Sequence, residues 1–99
     1  MAQLTAEQRL ERVKILLGMG GSEYQDETRR LYIDEVMDVL KDGGVQQEVA
    51  ESAAAVGCIA MGVNDRWNYS AGGVKYSDAF NRRLIQLSAK QVSNNVQTE

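Results

Sequence analysis

The chain has 99 residues, 43 % hydrophobic and 25 % charged, with a net charge of −3, one cysteine and no histidine. That length suits a single domain, and without histidine no Ser-His or Cys-His triad can be built within one chain. Lone Cys58 excludes an internal disulfide and a cysteine-rich zinc site, no apolar run approaches the roughly 18–20 residues of a membrane span, and Arg29-Arg30 and Arg82-Arg83 are isolated basic pairs, not a nucleic-acid footprint.

The opening MAQLTAEQRLERVK lacks the apolar core of a signal peptide, so the protein is expected in a cytoplasm. Thr5-Ala6-Glu7-Gln8 fits a capping box and predicts a helix over about 5–17, with Leu10, Val13, Leu16 and Leu17 on its apolar face. Gly18-Met19-Gly20-Gly21 stops it, because glycine allows the left-handed turn after a helix. These glycines follow a helix and precede no Gly-Lys-Ser/Thr, so they are not a phosphate loop.

Ser22-x-x-Gln25 reads as a second capping box and predicts a helix over 23–42. Glu23, Asp26 and Glu27 suit its positive N-terminal end. Its face reads Tyr24, Thr28, Leu31, Tyr32, Val36, Val39 and Leu40, with both tyrosines at the core or its boundary, and Gly43-Gly44 ends it.

Residues 45–67 form the longest stretch without a strong break. Val45, Val49, Ala53, Val56, Ala60, Val63 and Trp67 fall at steps of three and four, the stripe of one continuous central helix. Trp67 closes the stripe and should lie at least partly buried under the segment that follows. Beside the stripe, Ala50, Ala54, Cys58 and Gly62 form a row of small residues that lets another helix approach closely, and Cys58 should be a buried, inert thiol.

Residues 68–77 break the helical pattern. Gly72-Gly73 between Tyr69-Ser70-Ala71 and Val74-Lys75-Tyr76 is a hairpin signal with flanks too short to stand alone. The segment is either a flexible loop or an arm that orders against a partner. Ser77 caps a last helix over 78–92, with Phe80, Leu84, Leu87 and Gln91 on one face and Ile85 and Val92 nearby. The polar tail 93–99 holds one apolar residue, Val96. The expectation is an all-α fold, a small four-helix bundle with a loop or short β-hairpin arm between the last two helices.

One enzymatic constellation deserves weighing. Glu35-x-x-Asp38 and Glu48-x-x-Glu51 are carboxylate pairs of the kind that hold Mg²⁺ in all-helical nucleotide pyrophosphohydrolases of the MazG kind. There the ExxE pair precedes the ExxD pair; here the order is reversed across Gly43-Gly44, and no basic triphosphate motif accompanies it. Carboxylates at this spacing are more often a solvated helix face. A small regulatory or nucleic-acid-associated helical protein is a further alternative.

Four features give a resemblance. A short opening helix ends in Leu16-Leu17-Gly18, a second carries LYIDEVMDVL over 31–40, an Ala/Val-rich third ends in the aromatic and polar stretch 56–68, and a Gly-containing loop leads into VKYSDAFNRRLIQL over 74–87. Across about four-fifths of its length the chain resembles the small head-to-tail connector (adaptor) proteins of tailed bacteriophages. It departs in the short glycine-rich 18–25 region and in the small side chains of 50–60.

The resemblance implies a structural virion protein with no catalysis and no cofactor. Such a protein forms a ring, usually a dodecamer, at the neck beneath the portal, having assembled in the host cytoplasm. It extends the channel for genomic DNA without sequence-specific binding and offers a docking surface to tail or stopper proteins. A ring of chains with this net charge would be an acidic collar, whose lumen would repel phosphate. Tyr69, Val74 and Tyr76 of the arm, Arg82, Arg83 and tail residue Val96 are the candidate interface residues, the tail toward the portal.

Overall fold

A computed structural model describes residues 3–68 and 75–90. The chain is all-α. It runs α1 (Ala6–Leu16), α2 (Asp26–Asp42), α3 (Gln47–Ala50), a 3₁₀ turn (Ala53–Ala55), α4 (Val56–Trp67) and α5 (Asp78–Ser88), with no strand among the described residues. No helix among the described residues is long and apolar enough to cross a membrane.

α1 starts where the capping box predicts. Thr5 Oγ1 accepts from the Gln8 backbone N–H at 3.1 Å, and Gln8 Oε1 accepts from the Thr5 N–H at 2.9 Å, satisfying two donors that the helix leaves open. Gly18 (φ 76°) then takes the left-handed conformation that ends it.

α2 begins later than the Ser22 box predicts. Its N-cap is Gln25, itself left-handed at φ 60°, and the Ser22 hydroxyl oxygen accepts from Tyr24 N–H at 3.3 Å instead of capping a helix. The reason is Arg29, almost wholly buried, whose guanidinium donates back to the Tyr24 carbonyl and to Met19 Sδ. These bonds hold 19–25 as an irregular loop over the end of α1. Gly43 caps the other end of α2, and Gly44 (φ 98°) turns the chain there as expected.

The expected continuous helix over 45–67 is interrupted at Glu51–Ala55. Ser52 is extended (φ −93°, ψ 169°); its hydroxyl donates to the Val49 carbonyl at 2.8 Å and accepts from Ala54 N–H at 3.2 Å. Such side-chain bonds compete with the helical ladder. A distant segment stabilises the break. Gln3 and Ser52 form an isolated antiparallel bridge, Leu4 N–H donates to the Glu51 carbonyl at 3.0 Å, and Arg9 donates to the carbonyls of Leu4 and Glu51 at 3.0 and 3.2 Å.

α4 is the hub of the core. Toward α2, Gly62 meets Val36, and Arg66 pairs with Glu35 at 3.1 Å. Toward α5, the predicted small-residue row does its work: Gly62 lies against Phe80, Cys58 Sγ against the Phe80 carbonyl at 3.7 Å, and the Ala54 carbonyl accepts from Arg83 at 3.3 Å. Val45, Val49, Val56, Ala60 and Val63 of the stripe are buried, as are Ile33, Met37 and Ile59, which the sequence reading did not single out. The break turns Ala53 outward, and Trp67 keeps 39 % of its surface exposed.

Candidate interaction surface

Several large apolar side chains do not reach the core. Ile15 (62 % exposed) and Leu16 (58 %) of α1, Leu31 (64 %) of α2 and Ile85 (66 %) of α5 face outward, as does Tyr24 in the loop. Leu16, Leu31 and Tyr24 were expected on inward or boundary faces. Leu16 sits at the edge of its helical stripe, Tyr24 lies before α2 begins, and Leu31 lies across α2 from the buried Ile33, Val36, Met37 and Leu40, so no described helix covers them.

Ile15 and Leu16 open onto a groove between α1 and α4. A first hollow of about 410 Å³ is lined by Arg12, Ile15, Leu16, Ala53, Val56 and Gly57. A second, of about 390 Å³, is lined by Leu16, Leu17, Gly57, Ala60, Met61 and Asn64. They share Leu16 and Gly57 and so read as one apolar trough. Gly57 is its floor: a Cβ built there meets no atom within 4 Å. Gly57 and Met61 lie about half a turn from Ile59 and Arg66, hence on the side of α4 away from α2. Among the described residues no carboxylate lines either hollow.

The outer face of α2 has the opposite character. Glu27, Leu31, Asp34, Asp38 and Asp42, all exposed, recur at three- and four-residue steps opposite buried Ile33, Val36, Met37 and Leu40. Among the described residues the side chains of Asp34, Asp38 and Asp42 take part in no hydrogen bond or ion pair.

The structure places the candidate interface residues unevenly. Tyr69, Val74 and Val96 lie outside the described residues, as does the tip of the expected arm. Tyr76 turns inward, half-buried and stacked on Phe80 at 4.6 Å between ring centroids; burial, then the nearby Glu35 charge, raises its hydroxyl pKa. Arg83 also turns inward, held by the Ala54 carbonyl and by Gln86 Oε1 at 3.0 Å. Arg82 is exposed, close to Ile85 on the outer face of α5.

The carboxylate pairs do not converge. Glu35 is committed to Arg66, whose guanidinium lies 4.6 Å from the Tyr32 ring, while Glu51 accepts from Gln3 and Gln47. Among the described residues no three His, Cys, Asp or Glu side chains are grouped so as to hold a metal ion.

Among the described residues a buried ionic cluster is structural in its geometry. Lys14 is 1 % exposed, with Nζ 3.0 and 3.1 Å from the two carboxylate oxygens of Asp26 and 3.6 Å from Glu11. Beside it Arg29 lies 5.0 Å from the Trp67 ring, which meets Tyr32 edge-on at 5.4 Å. The cluster pins the 19–25 loop and the end of α4 to α2. Cys58 is wholly buried, and loss of water raises its thiol pKa to about 11, against a smaller lowering by Arg83.

The groove was not read from the sequence. Its signal was present: Ile15 lies across α1 from Leu10, and Gly57 and Met61 share the side of α4 opposite Ile59. Comparison with known protein families, with characterised proteins and with solved structures finds no match for this chain.

Proposed function

We propose that the chain is a structural subunit of the bacteriophage head-to-tail connector, a small bundle of four long helices that assembles as a ring between the portal and the tail. The observation that carries the reading is the pair of unpartnered outer surfaces, the apolar α1/α4 trough and the acidic α2 face, on a domain this small. Ile15 and Leu16 lie side by side on the trough, and contiguous exposed apolar surface of this kind marks an interaction site. The connector resemblance adds support, since its marker residues fall at element ends: Leu16-Leu17-Gly18 closes α1, and Ser77, whose hydroxyl accepts from Phe80 N–H at 3.2 Å, opens α5.

In this reading the ring extends the DNA channel, lets DNA pass without sequence-specific binding, and presents a surface to tail or stopper proteins. Arg82, Tyr69 and Val74 of the arm, and Val96 of the tail 93–99 are its candidate contacts with portal and tail. The test is reconstitution with the portal protein of the same virus. Co-sedimentation, and a ring seen on the portal by electron microscopy, is the expected result. A chain that never associates with portals or tail-completion proteins removes the reading.

A further inference from the structure

The two outer surfaces differ in charge, one bordered by a cation and one rich in carboxylates, and they lie on opposite sides of the α2/α4 pair. α2 covers one side of α4 through Val36–Gly62 and Glu35–Arg66, while Gly57 and Met61 open on the other side. The outer face of α2 presents Leu31 among Glu27, Asp34 and Asp38, with the exposed Lys41 one turn beyond Asp38 toward the C-terminal end. The trough presents a floor without a side chain at Gly57, apolar walls at Ile15 and Leu16, and one cation, Arg12, at its edge. Arg12 takes part in no hydrogen bond or ion pair among the described residues.

We propose that the acidic outer face of α2 in one copy docks into the α1/α4 trough of the next, Leu31 seating over Gly57 while Asp34 and Asp38 face Arg12. This rests on the reading of the chain as a self-assembling subunit and names the faces that meet. A second copy is the occupant because one chain carries both halves: an apolar knob ringed by carboxylates, and an apolar hollow bordered by a cation and free of carboxylates. Charges so placed set orientation and exclude the reverse pairing, in which acidic faces would meet. Because the halves lie on opposite sides of one body, the contact is heterologous. Each copy uses both faces, and association proceeds to a ring or a filament and does not stop at a symmetric dimer.

The test uses two variants, Leu31→Arg and Gly57→Arg. Both positions are open to solvent, so both proteins should keep the wild-type circular dichroism and melting profile. Sedimentation of the wild type at concentrations to about 100 µM should show species larger than a dimer. Each variant alone should self-associate at least about thirtyfold more weakly, as expected for loss of a central contact. A one-to-one mixture should form a dimer and stop there, because Leu31→Arg keeps an intact trough and Gly57→Arg keeps an intact α2 face. A mixture that stays monomeric, a variant that assembles like the wild type, or a wild type that stays monomeric overturns the proposal. The portal reconstitution is independent of these variants, so the faces can be wrong while the connector reading stands.

Discussion

Gly62 of α4 and Phe80 of α5 are in contact so close that a Cβ on the glycine would stand 2.7 Å from Phe80 Cε1; Val36 Cγ1 of α2 lies at the same distance. Three helices therefore meet where one side chain is missing. On the same helix, Gly57 faces empty space. The two glycines make α4 close-packed on one side and open on the other.

That contrast predicts opposite signs for one substitution. Gly57→Ala should stabilise the folded chain by about 0.5–1 kcal/mol, the ordinary gain in helix propensity. Gly62→Ala gains the same propensity but forces Phe80 and Val36 apart, and overpacking costs about 1–3 kcal/mol. Its net effect should be destabilising by about 1 kcal/mol. Urea melts of the two variants check the pair, and a stabilised Gly62→Ala would contradict the packing.

The buried Lys14–Asp26 pair predicts an asymmetric cycle. Asp26→Ala leaves a buried ammonium with only the more distant Glu11 and should cost about 3 kcal/mol or more. Lys14→Met in the Asp26→Ala background should restore part of that loss, because the uncompensated charge goes with it. Denaturation of the four proteins gives the coupling energy, and independent effects of the two substitutions would contradict the pairing.

Trp67 is the only tryptophan, so its fluorescence reports one place. It rests on Tyr32 and Arg29 with 39 % of its surface exposed, so emission should be intermediate between buried and water-like. Tyr32→Leu should shift it to the red. Trp67→Ala should cost about 2 kcal/mol, less than loss of a fully buried tryptophan.

Cys58 predicts a pH dependence. Its thiol titrates near 11 in the folded chain against a reference of 9.0, so the unfolded chain ionises first. The contribution to stability is complete below pH 9 and is lost as pH rises through 9 to 11. Over that window the wild type should lose about 2–3 kcal/mol more than Cys58→Ala, which lacks the group. Parallel pH-dependent melts of the two proteins check it.

Local signals were read well from the sequence. Thr5 and Gln8, Gly18, Gly43-Gly44, Ser77 and the row Ala54, Cys58 and Gly62 act as their neighbours in sequence dictate. The departures come from distant partners. Ser52 looks like one polar residue in a helical stripe until Gln3 and Leu4 arrive beside it, and Ser22 looks like a cap until Arg29 ties down Tyr24 and Met19. Leu16 has the right period but lies at a stripe edge, and Leu31 belongs to the stripe read from the sequence while α2 buries the opposite side, Ile33, Val36, Met37 and Leu40; only the positions of the other helices decide which side is covered. The trough was missed for the same reason: Gly57 reads as a propensity defect, and its meaning comes from the absence of a neighbour.

The interruption at Glu51–Ala55 splits the middle of the chain into two hydrogen-bond ladders with different supports. α3 has four residues, far too few to be helical alone. It is held by Val49 and Ala50, which are buried in the core, by the turn after α2 and by the N-terminal segment, where Gln3 reaches Glu51 across 48 positions of sequence. Its amides should therefore exchange with solvent together with residues 3–5, while those of α4 open only with the core. Residues 3–5 and α3 should open as one unit, so a substitution at Gln3 or Leu4 should be felt at α3 before the helix that follows it.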